Sequence, residues 1–159
     1  MVALAILPEI QETLNKESAH PLKDFAVIYA QKVAWGDMDA FGHVNNVVYY
    51  GYAQNARIYY NTRLDLFNEK TASVMAASSC QYFQPVTYPD TLWIGVKVKK
   101  IGNSSVIHEY TYYSKALKTI VAIGESVLVY LDKATGQKRN IDESKKAAIS
   151  ALENVDYTT

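Results

Sequence analysis

The sequence predicts an α+β domain in which an antiparallel sheet of about five strands packs against one long central helix. Three observations carry this. One β-rich segment precedes a long helical run, and the β-rich segments after it follow one another through short connections, which suits antiparallel neighbours rather than parallel βαβ crossovers. Leu92, Ile94, Val96 and Val98 alternate with Trp93, Gly95, Lys97 and Lys99, the clearest strand pattern in the chain. Tyr49, Tyr52, Ala53, Ala56, Tyr60, Leu64 and Phe67 recur at intervals of three and four, the spacing of one helix face.

In chain order, Pro8 to Lys16 suits a short peripheral helix, with proline tolerated in the first turn and Ile10 and Leu14 on one side. Ser18 to Lys23 contains Pro21 and reads as a loop; Phe25 to Trp35 is rich in Val, Ile, Tyr and Trp and reads as a strand. The helix from Val47 to Phe67, at about 20 residues, would be about 30 Å long, the width of a sheet that could wrap it. Ser73 to Phe83 is extended, and Pro85, Pro89 and Asp90 punctuate the stretch after it. After the alternating strand, Gly102-Asn103 supplies a turn and Val106 to Ser114 a further strand. A short connection near Ala116 to Lys118 leads to a last strand, Thr119 to Leu131, which ends at Asp132 and the Thr135-Gly136 turn. Asp142 to Leu152 suits a terminal helix capped by Asp142.

At 159 residues the chain reads as a single domain, 1–159, with a core over about 25–140, and it is long enough to bury a real core. Sixteen basic residues balance sixteen acidic ones, with no long basic run, so a nucleic-acid partner is not expected. Lys97, Lys99 and Lys100 read as the solvated face and end of a strand rather than a phosphate site. Cys80 is the single cysteine, which excludes an internal disulfide framework and fits a reducing compartment, the cytoplasm. Met1 to Leu7 lacks the basic start of a signal peptide, and no run of about 18 uncharged apolar residues predicts a membrane span.

The chemistry concentrates in Trp35-Gly36-Asp37-Met38-Asp39-Ala40-Phe41-Gly42-His43-Val44-Asn45-Asn46, which sets two carboxylates, an imidazole and two amides ahead of the helix. Asn45 and Asn46 stand where an Asn side chain could accept a free backbone N–H at the helix start. Asp39 would precede that helix terminus, where free N–H groups and the positive end of the helix dipole suit an oxygen gaining negative charge. A carboxylate and an oxyanion site would then face each other.

Asp37-Met38-Asp39-Ala40-Phe41-Gly42-His43-Val44-Asn45-Asn46, followed by Tyr49 and Ala56-Arg57, resembles the signature of hotdog-fold acyl-CoA thioesterases of the 4-hydroxybenzoyl-CoA thioesterase-like family. The His-Val-Asn-Asn wording is similar to fatty acyl-CoA enzymes and plant acyl-ACP thioesterases. Tyr82-Phe83-Gln84-Pro85 and Gly102-Asn103-Ser104-Ser105 fit the family more loosely. The resemblance implies a curved sheet wrapped around the helix, and acyl-CoA as the small-molecule substrate, hydrolysed to free acid and CoA. It implies Asp39 as catalytic carboxylate and a backbone N–H near Asn46 that polarises the thioester carbonyl. It implies no metal and no cofactor beyond the CoA of the substrate, and a cleft between two subunits of a homodimer or homotetramer whose sheets pair edge to edge. Two departures stand out: Phe41 replaces the Asn of plant enzymes, and Gln54 and Asn55 stand where many relatives carry a helix Glu.

Each residue also has a plainer reading. Asp39 could be a turn residue; the surrounding motif favours general base or nucleophile, and the residues do not choose between these. Asp37 is read as ordering the loop through backbone N–H groups. His43 could orient a water or the thioester, or be a locally satisfied histidine beneath the helix start. Asn45 and Tyr49 are expected beside the substrate, and the tyrosines in general as core, interface or acyl-pocket residues. His20 and His108 lack ligand spacing to Cys or His, so no metal site is expected, and Cys80 reads as an inert core thiol. Alternatives to hydrolysis are a non-catalytic acyl-CoA or acyl-carrier binding module on the same fold and, ranked last, a hydratase using an Asp–His pair.

Overall fold

A computed structural model describes residues 4–64, 68 and 70–157. Its sheet has five antiparallel strands: β1 Val27–Lys32, β2 Thr71–Tyr82, β3 Thr91–Ile101, β4 Ser105–Ser114 and β5 Thr119–Asp132, in the order β1-β3-β4-β5-β2. Helix α1 spans Pro8–Lys16, α2 Val48–Asn61 and α3 Glu143–Glu153. The sheet curves around α2, which is the hotdog arrangement expected. Because alternate strand residues point to opposite faces, Val27, Ile94, Val96, Tyr110 and Tyr112 close on Tyr49, Tyr52, Ala53, Ala56 and Tyr60 of α2 in one continuous core.

Three expectations change. The helix is 14 residues long, about 21 Å, and ends at Asn61. Residues 62–64 form a turn that still brings Leu64 against the core, while Phe67 lies outside the described residues. Periodicity overran the helix because a turn can continue to bury the same face. Second, α1 is not peripheral. Ile10 and Leu14 are buried with Leu22, Ile28, Trp93 and Tyr113 in a second core on the outer sheet face. Gly95 belongs to this layer, since a Cβ there would stand 2.7 Å from the Phe25 ring. The alternating strand is therefore covered on both faces over its first half. Third, Trp35 leaves the first strand for a 3-10 turn and is 73% exposed. Asp142 does hold the N-cap position of α3, but its backbone carbonyl, not its side chain, receives the Lys145 and Lys146 N–H groups.

His108 sits in β4 under α2, edge-on to Tyr60 at 5.6 Å between centroids, and neither ring nitrogen has a hydrogen-bond partner among the described residues. Burial, aided by the positive charge of Arg57, lowers its pKa to about 3. The folded protein therefore keeps a neutral ring while an unfolded chain takes a proton below about 6.5, so stability falls as pH falls through that window. We expect a loss of about 2 kcal/mol from this group between pH 7 and pH 5, read by denaturant unfolding. His108→Phe should remove that part of the slope; an unchanged slope in the variant would assign it to other groups.

Candidate active site

The motif loop is built by its own backbone. Val33 at the end of β1 donates its N–H to the Asp90 carbonyl at 3.0 Å, and the chain then turns through Trp35–Asp37. One carboxylate oxygen of Asp37 accepts the Ala34 N–H at 2.9 Å and the Tyr52 hydroxyl at 2.5 Å. Burial and the Asp37 carboxylate both push the Tyr52 phenol well above its ordinary pKa, so it remains a neutral donor. Asp37 thus ties the loop to α2, as its reading as an ordering residue requires.

Beyond it, Met38 pairs with Val44 and the Asp39 N–H donates to the His43 carbonyl at 2.9 Å. The Gly42 N–H returns to the Asp39 carbonyl at 3.0 Å, with Gly42 at φ 76°, a left-handed conformation that side chains disfavour. The Asp39 carboxylate accepts the Phe41 N–H through Oδ1 at 2.9 Å, and its second oxygen enters no hydrogen bond among the described residues. The far side of the loop is pinned where Val44 donates its N–H to the Val86 carbonyl at 2.8 Å and Asn45 its N–H to the Asp37 carbonyl at 2.9 Å.

Neither asparagine caps α2, whose N-cap is Val47. The Asn45 side chain accepts the Val47 N–H at 3.0 Å one residue ahead of the helix, and its carbonyl accepts the Val48 N–H at 2.9 Å. The Asn46 carbonyl accepts the Tyr82 hydroxyl at 2.7 Å, while the Asn46 N–H makes no hydrogen bond among the described residues. The local chain direction is therefore set by Asn45, and an unused donor is left at Asn46.

Asp39, His43, Asn46 and Tyr49 line one cleft of about 320 Å³, together with Val44 and the segment Tyr82-Phe83-Gln84-Pro85. Asn45 is not among its lining residues, and Asp37 lies behind the loop. Tyr82 to Pro85, whose likeness to the family is loose in sequence, enters because the end of β2 returns beside the motif loop: Phe83 donates its N–H to Val121, and the Tyr82 ring packs edge-on to Tyr49 at 4.9 Å. Burial pushes the Tyr49 phenol up to about 12, so Tyr49 is a neutral wall rather than a base. Asp39 and His43 are the carboxylate and imidazole that line this cleft.

Cys80 faces the core from β2, and burial raises its thiol pKa, which disfavours the thiolate a nucleophile needs. The buried His20 accepts the Leu22 N–H through Nδ1 at 3.1 Å and packs on Tyr113. No group of three or more His, Cys, Asp or Glu among the described residues could hold a metal ion. Among the described residues no helix is long and apolar enough to cross a membrane.

The chain is similar to known proteins in sequence and in fold. The chain is 28% identical over 127 residues to an uncharacterized Bacillus subtilis protein, YsmA, covering 79% of this chain and 86% of that one. A Thermus thermophilus thioesterase, solved with coenzyme A and zinc, is 32% identical with a TM-score of 0.74, covering 83% of this chain and 98% of that one. The PA5185 protein of Pseudomonas aeruginosa is 29% identical with a TM-score of 0.73, covering 82% and 93%. The profile of the thioesterase-like superfamily matches residues 33–149, from just after β1 to the middle of α3. The motif loop and α2 lie inside this matched stretch, which covers most of the chain, and the protein belongs to the thioesterase-like superfamily.

Proposed function

We propose that the protein hydrolyses acyl-CoA thioesters to free acid and CoA at the cleft between the motif loop and the start of α2. The observation that carries this reading is that one cleft holds both the Asp39 carboxylate and Asn46, and that one Asp39 oxygen and the Asn46 N–H make no hydrogen bond among the described residues. The Asn46 N–H polarises the thioester carbonyl and stabilises the oxyanion, a contribution worth about 2.7 to 4 kcal/mol for one donor. Asp39 either activates a water or attacks directly to form a mixed anhydride that a water then hydrolyses; in either route a C–O bond forms at the carbonyl carbon, the C–S bond breaks, and CoA takes a proton and leaves as the thiol. His43, exposed at the rim, can relay that proton. No metal or cofactor enters this route. Thiol release from a panel of acyl-CoA esters is the test. Absence of hydrolysis combined with retained acyl-CoA binding would replace the enzyme with the binding-module alternative.

The working unit we propose is a symmetric homodimer, as a closed pair or within a tetramer. β2 is an edge strand paired only to β5, and it exposes Val74 and Met75 at 45% and 44%. A long exposed edge of this kind invites pairing with a second copy. Sedimentation at assay concentration should give a dimer or larger species; an active monomer would overturn this assembly.

A further inference from the structure

A second cavity, of about 440 Å³, runs along one stripe of α2 formed by Val47, Tyr50, Gly51, Gln54 and Arg57, with Met75 and Tyr112 among the residues of the facing sheet. These helix positions share a face, and ten residues from Val47 to Arg57 advance about 15 Å. The trough begins one residue beyond Asn46 and ends at a guanidinium. Around Arg57 the lining is polar, with the Tyr110 hydroxyl accepting from Arg57 Nη1 at 3.1 Å and meeting Ser126 Oγ at 2.5 Å.

Arg57 has no ion-pair partner among the described residues, whereas Lys97, Lys99 and Arg139 each have one. The other charged residue at this cavity, Glu125, lies one position from Ser126 on β5, so its side chain points to the opposite sheet face, where Lys99 holds it. A carboxylate at position 54 would stand three residues from Arg57 and neutralise it, but the chain carries Gln54. Gly51 supplies the second sign of a channel. A helix-interior glycine costs about 1 kcal/mol relative to alanine, and a Cβ at Gly51 would meet nothing within 4 Å, so packing does not require it. What its lack of a side chain does is keep the middle of the trough open.

The geometry points to this trough as the acyl channel of the proposed thioesterase, with Arg57 at its far end selecting acyl groups that end in a carboxylate. This rests on the hydrolase reading and specifies its substrate class: a CoA monothioester of a dicarboxylic acid of medium length. A chain of about a dozen bonds spans the trough, taking the extended backbone's advance of about 3.5 Å per three bonds. A carboxylate there replaces the water around Arg57 with a charge-assisted, bidentate contact, which a methyl terminus cannot offer.

The test compares dodecanedioyl-CoA, as its monothioester, with dodecanoyl-CoA. Wild-type kcat/KM should favour the dicarboxylic substrate by about tenfold or more. Arg57→Met should collapse that ratio to within about twofold, and Gln54→Glu, an exposed substitution, should lower it by neutralising the cation in place. Calorimetric binding of the same two thioesters to the Asp39→Asn protein gives a readout that does not need turnover. Equal affinities there, or a ratio unchanged in both variants, would overturn the assignment of Arg57. A binding preference in a protein that hydrolyses neither ester would uphold the channel while removing the hydrolase reading.

Discussion

Asp39→Asn lowers kcat/KM for acyl-CoA hydrolysis by about three orders of magnitude while the fold and CoA affinity survive, the loss expected when a general base or nucleophile is removed. The amide keeps the volume of the side chain and can still accept the Phe41 N–H through its oxygen, the one hydrogen bond this side chain makes among the described residues. Only the basic electron pair at the cleft is lost. Asp37→Asn is the matched control. Its carboxylate serves the Ala34 N–H and the Tyr52 hydroxyl, so its replacement weakens the anchoring of the loop, at about 1 to 3 kcal/mol of stability, and leaves most of the turnover. Thiol-release kinetics alongside thermal unfolding separate the two effects. An inactive Asp37 variant with an active Asp39 variant would reverse their assigned roles.

The difference between these aspartates was partly legible in the chain and partly not. Contiguity made the motif readable, since residues 35–46 supply carboxylate and turn glycine directly ahead of the helix, in one stretch that folds back on itself through the Asp39, Gly42 and Asn45 N–H groups. What separates the two carboxylates in the fold is Tyr52, 15 positions beyond Asp37, whose hydroxyl bonds Asp37 and not Asp39. Tyr82 to Pro85 became part of the cleft only through the pairing of β2 with β5, a contact between segments about 40 residues apart for which no local pattern exists. Helix periodicity placed Tyr49, Tyr52, Ala53, Ala56 and Tyr60 correctly in the core. The same periodicity could not show where α2 stops, because Leu64 buries its side chain from a turn. Alternation in β3 marked one buried face; the other emerges only in the folded chain, where α1 covers Trp93 and the Phe25 ring closes on Gly95. Arg57 was read only as a motif letter. Its proposed role rests on the lack of an ion-pair partner among the described residues, which only the folded chain shows.

Backbone geometry at the start of α2 carries the second large effect. Asn46→Pro should reduce kcat by about 100- to 1000-fold, whereas Asn46→Ala should stay within a few-fold of wild type. Proline deletes one atom group, the Asn46 N–H, which no described residue uses as a donor. The bonds that set the loop remain available in both variants, because Val47 and Val48 donate to the Asn45 side chain and carbonyl, and Tyr82 donates to the carbonyl of residue 46 whatever its side chain. Alanine removes an exposed amide that caps nothing, so its cost should fall below the roughly 1 kcal/mol of a lost helix cap. Circular dichroism and thermal unfolding establish that both proteins fold, and saturating-substrate turnover then isolates the donor. Equal, wild-type turnover in the folded proline and alanine proteins would place the polarising group elsewhere, and His43, at the same cleft, would be the group to substitute next.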